Sequence, residues 1–241
     1  MEQGNFPILI LTGRPAAGKS EVIDFLKNSN PRARLERFRI GDFEELDDFL
    51  YVWETFEIDD ILTRAGRLRL WTDEEYWFKD EFVWDLYLER INLEYRKKIA
   101  RDPAYHTGKT TLIEFARGGE RGIAHALECL HEEILSRAAL IYIRVSYEES
   151  LRKNRRRARK GEEHSILYHS LPDEKMEYYY RTNDWEDIAS RDPAYIRVKD
   201  FRVPYAVFEN EPEKTHDPQL IAAELARVTE RLWGKRLPTN R

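Results

Sequence analysis

The feature that most constrains the fold is the sequence GRPAAGKS at residues 13–20, which fits the pattern GxxxxGK[ST]. An uninterrupted apolar run at residues 7–11 precedes it, as in a strand that is buried on both faces of a parallel sheet. Apolar side chains with helical spacing follow it: Val22, Ile23, Phe25 and Leu26. A break at residues 28–31 then favours a helix end. The order of strand, glycine-rich loop and helix predicts an α/β fold.

Residues 13–20 have the composition of a loop that holds a triphosphate. The glycines let the backbone turn so that N–H groups face phosphate oxygens, and the helix dipole adds to this attraction. We expect Lys19 to reach the β and γ phosphates and the Ser20 hydroxyl to coordinate Mg²⁺. The sequence therefore predicts ATP and Mg²⁺ as cofactors. The predicted nucleotide-binding residues are Gly13, Arg14, Pro15, Ala16, Ala17, Gly18, Lys19 and Ser20.

Composition limits the class of protein and its partners. The 241 residues, 41% of them hydrophobic, fit a single α/β domain with one insertion. A net charge of −5 argues against nucleic acid or an anionic membrane as the general partner. Cys129 is the only cysteine, so no intramolecular disulfide can form, and we expect a reducing, cytoplasmic setting. No stretch resembles a cleavable signal or a transmembrane helix.

Further strands are predicted along the chain. A second strand at residues 38–41 is expected to end at Asp42, and the run TTLIEF at residues 110–115 reads as a third. Residues 140–145 and 203–210 supply a fourth and a fifth. The predicted architecture is therefore a parallel five-stranded sheet that is flanked by helices.

Two segments of the single domain 1–241 are predicted to cover the ligand side of this sheet. Residues 43–101 are acidic, aromatic and helical in pattern, and we interpret them as an acceptor-side insertion. Within it, Thr72 and Glu75 have the spacing of a capping box, which predicts a helix start. Residues 152–182 contain a basic helix and a polar stretch with Gly, Ser and Pro, which favours a lid.

Several short sequences resemble the nucleoside monophosphate kinase branch of P-loop kinases. They occur in order over most of the chain: GRPAAGKS, RIGDF, TLIEFARG, IYIRVSYEESLRKNRRR and VFENE. In that branch a Gly-Asp pair commonly closes the second strand, an arginine-bearing helix precedes a lid, and an Asn often follows the fifth strand. Gly41-Asp42, residues 152–157 and Asn210 match these positions. The resemblance implies a P-loop kinase-like sheet that transfers phosphate from ATP to a nucleotide or nucleoside.

Two acidic residues are candidates for chemistry at the sheet's carboxyl edge. Glu114 lies within the apolar third strand, where a carboxylate needs a cation. That cation is either Mg²⁺, directly or through its waters, or Arg117 in a structural salt bridge. Asp42 is expected at the end of the second strand, where it acts either as an acceptor-side general base or as a helix cap.

Arginines are the candidates that would neutralise the transferred charge. Arg152, Arg155, Arg156 and Arg159 recur at intervals of three and four residues, so at least two share a helix face. They either clamp the phosphoryl group or form a solvated basic face that nearby glutamates balance. The predicted catalytic residues are Lys19, Asp42, Arg117, Arg152 and Arg156, and the predicted metal ligands are Ser20 and Glu114.

The sequence leaves the acceptor open. A nucleotide or nucleoside is the first hypothesis, and a small-molecule alcohol with Asp42 as base is the second. A third hypothesis is a regulatory module that binds a nucleoside triphosphate without catalysis, since Glu114 stands where many P-loop proteins carry a strand-ending Asp. A kinase acting on nucleic-acid ends ranks lower because the chain is acidic overall.

Overall fold

A computed structural model of the protein describes residues 4–157 and 170–236. Its six-stranded sheet has the order β2-β3-β1-β4-β6-β5. The strands are β1 (Ile8–Gly13), β2 (Asp42–Asp47), β3 (Lys109–Phe115), β4 (Ala138–Arg144), β5 (Tyr195–Val198) and β6 (Phe201–Glu209). The first five strands in the spatial order are parallel, and β5 is antiparallel to β6. The predicted α/β class is confirmed, and the hairpin strand β5 makes the sheet one strand wider than expected.

Helices cover both faces of this sheet. The helices of the described residues are α1 (Lys19–Asn28), α2 (Pro31–Phe38), α3 (Asp48–Arg64), α4 (Val83–Arg101), α5 (Ile123–Cys129), α6 (Glu132–Leu135), α7 (Tyr147–Arg157), α8 (Asp173–Tyr180), α9 (Trp185–Arg191) and α10 (Pro218–Trp233). Ile8 and Ile10 of β1 face one hydrophobic cluster, while Leu9 and Leu11 face the other. Because successive side chains of a strand alternate between faces, two cores require the unbroken apolar run that marked β1.

The second strand lies elsewhere than predicted. Asn30 accepts hydrogen bonds from two amides of the next turn and Pro31 takes the first helical position, so a helix, α2, follows the break at residues 28–31. The strand β2 begins at Asp42 instead of ending there. It lies at an edge, pairs only with β3, and has the sequence DFEELD with mostly exposed or half-exposed side chains. An edge strand of this kind lacks the apolar signal that identifies a buried one.

The helical segment over the sheet is shorter than predicted. Residues 43–47 belong to β2, and the helices α3 and α4 together with their connection form residues 48–101. No helix starts at Thr72, and the next helix, α4, begins at Val83. Thr72 is instead buried beside Asp59, whose carboxylate binds the amide and the hydroxyl of Thr72, each at 2.7 Å, and the Leu70 amide at 2.7 Å. This carboxylate organises the connection between the two helices.

The structure describes only part of the predicted lid at residues 152–182. Its first residues belong to α7 and residues 173–180 form α8, while residues 158–169, which include Arg159, lie outside the described residues. The lid therefore stays a prediction. None of the described helices combines the length and the apolar character that a membrane span requires.

Replacement of Asp59 by Ala is expected to lower the free energy of unfolding by about 2–4 kcal/mol, because it leaves buried amides and a hydroxyl without an acceptor. Burial alone would raise the pKa of Asp59, but the hydrogen bonds from Thr72 and its neighbours bring it below its usual range. Its stabilising effect is therefore full above the unfolded pKa of about 3.9 and is lost as the pH falls through the lower folded value.

Urea unfolding near neutral pH and at acid pH measures both effects. Asp24→Ala on the exposed face of α1 is the matched control, and it should stay within about 0.5 kcal/mol of the wild type. An Asp59→Ala variant as stable as this control would contradict the assigned role.

Candidate active site

The glycine-rich loop lies between the end of β1 and the start of α1. Gly18 has a φ of 112°, and a Cβ atom there would lie 2.6 Å from the Asn210 amide nitrogen. A Cβ atom on Gly13 would lie 2.6 Å from the Ile143 carbonyl oxygen on the neighbouring strand. Only glycine fits either position. The backbone of the loop is therefore tightly packed where it enters the amino terminus of α1. A glycine-rich loop before a helix amino terminus is an arrangement that favours anion binding.

Asn210, which follows β6, holds this loop through its side chain. Its amide nitrogen donates to the Ala17 carbonyl at 2.7 Å and to the Thr215 hydroxyl at 3.0 Å. Its side-chain oxygen accepts from the amides of Lys214 and Thr215 at 2.7 and 3.2 Å. Asn210 is fully buried, so each of these bonds replaces one to water. The segment after β6 and the glycine-rich loop are thus braced by one side chain.

Lys19 is buried at the first position of α1. Its ammonium group donates to the Arg14 carbonyl at 3.1 Å and lies 3.8 Å from Glu114 Oε1. Burial lowers the pKa of Lys19, and the nearby carboxylate of Glu114 opposes this effect. The predicted salt bridge between Glu114 and Arg117 is not the one that forms, since Glu114 faces Lys19 instead.

Three carboxyl groups meet beside Lys19 at the ends of β2 and β3. The strand register places Asp47 opposite Glu114, and Asp48 follows at the start of α3. Burial raises the pKa of Asp47 to about 8, and repulsion from Glu114 and Asp48 adds to this rise. Burial likewise raises the pKa of Glu114. Lys19 lies beside Glu114 and Arg117 pairs with Asp48, so within the described part of the chain one of the three carboxylates is left without a cation, and the site favours a further proton or a cation.

The oxygen atoms at this edge suit Mg²⁺, which prefers carboxylate and hydroxyl ligands. Of the two predicted metal ligands, Glu114 lies on β3 with its Oε1 3.8 Å from the Lys19 ammonium group, and the exposed Ser20 follows Lys19 on α1. Asp47 is a third oxygen donor that the sequence did not single out. The excess negative charge of this group of carboxyl groups is the observation that supports a divalent cation here.

Arg117 is occupied by the protein itself. One guanidinium nitrogen donates to the buried Asp48 carboxylate and to the Ala116 carbonyl, and the other donates to the Trp84 carbonyl at 3.1 Å. The guanidinium also lies 4.9 Å from the centre of the Trp84 ring. The geometry gives Arg117 a role in holding Asp48 and α4 in place.

The predicted lid arginines pair with glutamates. Arg152 binds Glu149 at 2.7 Å and Arg156 binds Glu213 at 2.9 Å, with 53% and 58% of their side chains exposed. These contacts match the alternative of a solvated basic face that glutamates balance. Arg157, at the end of α7, binds Glu21 of α1 at 2.8 Å and acts electrostatically on Lys19.

Asp42 lies at the wrong edge of the sheet for an acceptor-side base. It opens β2, its side chain is 80% exposed, and it pairs with Arg34 at 3.2 Å. In parallel strands the amino end of β2 is opposite the edge that carries Lys19 and Glu114. Asp47, at the other end of the same strand, takes the position that was predicted for Asp42.

A cavity of about 490 Å³ opens beside Arg117 under the helical segment. Trp84, Gly118, Tyr179 and Tyr180 are among the residues that line it. Its volume lies in the range of small-molecule sites.

Arg14, Pro15 and Ala16, the other predicted nucleotide-binding residues of the loop, contact neighbouring helices or have an unusual backbone conformation. The Arg14 guanidinium donates to the Tyr180 carbonyl and lies 5.8 Å from the centre of the Tyr147 ring. The Pro15 carbonyl accepts from the Ser150 hydroxyl at 2.7 Å, and Ala16 has a φ of 54°. The loop therefore contacts both α7 and the end of α8.

No protein family and no curated protein matches the sequence. Among solved structures, Kti12 from Chaetomium thermophilum in complex with ADP-AlF3 matches with a TM-score of 0.50 and 14% identity, over 95% of this chain and 98% of that one. A gluconokinase from Sinorhizobium meliloti matches with a TM-score of 0.44 and 14% identity, over 97% and 99%. A shikimate kinase from Acinetobacter baumannii in complex with shikimate has a TM-score of 0.36 and 16% identity, over 77% of each chain. The likeness to Kti12 shows a shared fold.

Replacement of Asp47 by Asn is expected to stabilise the protein at alkaline pH. The folded pKa of about 8 lies above the unfolded value of about 3.9, so the carboxylate destabilises the folded state increasingly between these two values. Asn keeps the helix cap on the Phe49 amide and removes the charge. The expected gain is ~2 kcal/mol near pH 9 after allowance for partial exposure, and almost nothing near pH 4.

Urea unfolding with EDTA at both pH values measures this gain. Asp42→Asn, at the exposed end of the same strand, is the control and should show no such pH dependence. Equal stability of Asp47→Asn and wild type near pH 9 would contradict the buried charge cluster.

Proposed function

We propose that the protein is a phosphotransferase that uses ATP and Mg²⁺ and acts on a hydroxyl group of a small molecule. The observation that carries the proposal is the buried Lys19 of the glycine-rich loop beside the carboxyl groups of Asp47, Asp48 and Glu114. These groups share one edge of a parallel sheet, where α/β proteins bind ligands.

The nucleotide would be held by residues 13–20. The glycine-rich backbone and the amino terminus of α1 would bind the phosphates, and Lys19 would supply a positive charge. Ser20 and Glu114 would hold the metal ion. Bound ATP with Mg²⁺ supplies the transferable phosphoryl group and partial neutralisation of its charge.

Asp47 is the proposed general base. A pKa of about 8 allows a carboxylate to take a proton from an acceptor hydroxyl near neutral pH. Its backbone position is fixed because it caps α3, with the Phe49 amide donating at 2.9 Å. Arg117 positions the neighbouring Asp48 through a buried ion pair.

The cavity beside Arg117 is the proposed acceptor space. Resemblance to the nucleoside monophosphate kinase branch favours a nucleotide or nucleoside, and about 490 Å³ is enough for either. A phosphate acceptor needs arginine donors, however, and those of Arg117 bind Asp48 and main-chain carbonyls. This occupancy supports a hydroxyl acceptor, such as a nucleoside or another alcohol, over a phosphate.

The lid at residues 152–182 stays part of the proposal. Arg157 is the arginine of α7 that would approach the transferred phosphoryl group, since it already acts on Lys19 and Glu114. Arg157 would have to release Glu21, which it binds at 2.8 Å, in order to bind the phosphoryl group.

Replacement of Lys19 by Ala is expected to weaken ATP–Mg²⁺ binding about a hundredfold, through loss of a charge-assisted bond worth about 2–3 kcal/mol. Isothermal titration calorimetry of the full chain measures it. Lys27→Ala, at the exposed end of the same helix, is the control and should bind as the wild type does. Unchanged affinity in a folded Lys19→Ala variant would remove the basis of the proposal.

Replacement of Asp47 by Asn is expected to lower kcat by about 10²–10⁴-fold and to leave ATP affinity almost unchanged. Asp42→Asn should keep full activity. ADP release is measured with nucleosides, sugars, amino alcohols and nucleoside monophosphates as acceptors. Turnover that depends on Asp47 supports a hydroxyl acceptor. Turnover of monophosphates without that dependence would indicate a phosphate acceptor, and ATP binding without any turnover would indicate the regulatory module.

A further inference from the structure

A group of metal-ligating side chains lies where α4 packs against α5, and the proposed phosphotransfer does not use it. Asp85 comes from the first turn of α4, and His125 and Cys129 lie one helical turn apart on α5. The Asp85 carboxylate oxygen, His125 Nε2 and Cys129 Sγ all lie within 4.8 Å of one another. Residues four apart share one face of a helix, so His125 and Cys129 both point to α4.

The spacing of these atoms is close to that of a tetrahedral zinc site. His125 Nε2 is 2.9 Å from Asp85 Oδ1 and 3.7 Å from Cys129 Sγ. With ordinary zinc bond lengths, two nitrogen or oxygen ligands of a tetrahedron are ~3.3 Å apart, and a sulfur and a nitrogen ~3.6 Å. The first of these separations is within ~0.4 Å of the tetrahedral value and the second within ~0.1 Å, and the Asp85 and Cys129 ligand atoms lie within 4.8 Å of each other.

Two polar neighbours, Asp85 and Arg121, compete for His125 Nε2. Nε2 must carry a proton to donate to Asp85 Oδ1, yet an Arg121 guanidinium nitrogen, itself a donor, lies 3.2 Å from the same Nε2. The Cys129 sulfur also approaches this atom. One ring nitrogen cannot satisfy a carboxylate and a guanidinium together, whereas a bound cation would satisfy the carboxylate, the imidazole and the thiolate.

The surrounding structure holds the ligands in place. Asp184 accepts hydrogen bonds from the Ile123 and Ala124 amides at 2.8 and 2.9 Å and so fixes the start of α5. Asn92 of α4 donates to the Cys129 carbonyl at 2.8 Å and fixes its end. The Arg121 guanidinium binds Asp85 through Oδ2, which leaves Oδ1 for the site. Such outer contacts orient metal ligands in proteins.

We propose that Asp85 Oδ1, His125 Nε2 and Cys129 Sγ form a binding site for Zn²⁺ or a similar divalent transition metal. Binding forms three metal–ligand bonds. The Cys129 thiol releases its proton to solvent, and the neutral His125 ring carries its single proton on Nδ1, so that Nε2 can bind the metal. The carboxylate and the thiolate then balance the charge of the ion. Arg121 keeps Asp85 Oδ2 and gives up its contact with the ring nitrogen. The His125 side chain is 40% exposed, so a water molecule can take the fourth position.

Cobalt substitution tests the site in the full-length protein. Tetrahedral Co²⁺ with a thiolate ligand gives a sulfur-to-metal charge-transfer absorption, and Cys129 is the only cysteine of the chain. The band therefore reports this site alone, even if Co²⁺ also binds at Ser20 and Glu114. We expect one equivalent of Co²⁺ per chain to produce the band, and Zn²⁺ to abolish it by displacement.

Variants separate the site from non-specific binding. Cys129→Ser and His125→Ala should lose the band, Asp85→Asn should bind Co²⁺ at least about tenfold more weakly, and the exposed His216→Ala should match the wild type. Zn²⁺ should raise the thermal unfolding temperature of the wild type and not that of His125→Ala. No charge-transfer band in the folded wild type, or a band that survives in His125→Ala, would overturn the proposal.

Discussion

The buried charges around Lys19 set the conditions for the rest of the site. An ammonium group that is almost inaccessible to water needs a partner, and Glu114 on β3 supplies it across 3.8 Å. Two more carboxyl groups, Asp47 and Asp48, lie at the same edge. Burial raises the pKa of both, and repulsion from Glu114 and Asp48 adds to the rise at Asp47. Arg117 neutralises one of them through its buried pair with Asp48. Among the described residues, Asp47 is the carboxyl group of this cluster without an ion pair, and it lies opposite Glu114 at the end of β2.

The parts of the fold that could be predicted are those with a local physical signal. The strand β1 and the loop up to Lys19 have an apolar run and a glycine pattern, and α10 has a capping aspartate with a proline behind it. The strand β2 has neither signal, because an edge strand with one partner can be acidic and largely exposed. The predicted base was therefore placed at Asp42, five residues before the carboxyl end of that strand.

Long-range contacts explain the other differences between prediction and structure. Thr72 resembles a helix cap in sequence, but its hydroxyl and amide bind Asp59, thirteen residues earlier. Arg152 and Arg156 both pair with Glu213, which lies 57 residues after Arg156. Asp85 lies 40 residues before His125 on another helix, so no local pattern brings it together with His125 and Cys129. In each case the deciding partner is distant in the chain.

Asn210 links two segments that are almost two hundred residues apart, because one amide group bonds to the Ala17 carbonyl and to the turn that leads into α10. A ligand that restrains the loop at Ala17 should also restrain this turn, since the same Asn210 side chain bonds to both. Amide hydrogen exchange at residues 210–217 should therefore slow when a triphosphate binds. The carboxy-terminal helix would serve as a spectroscopic reporter for an event at the other end of the chain.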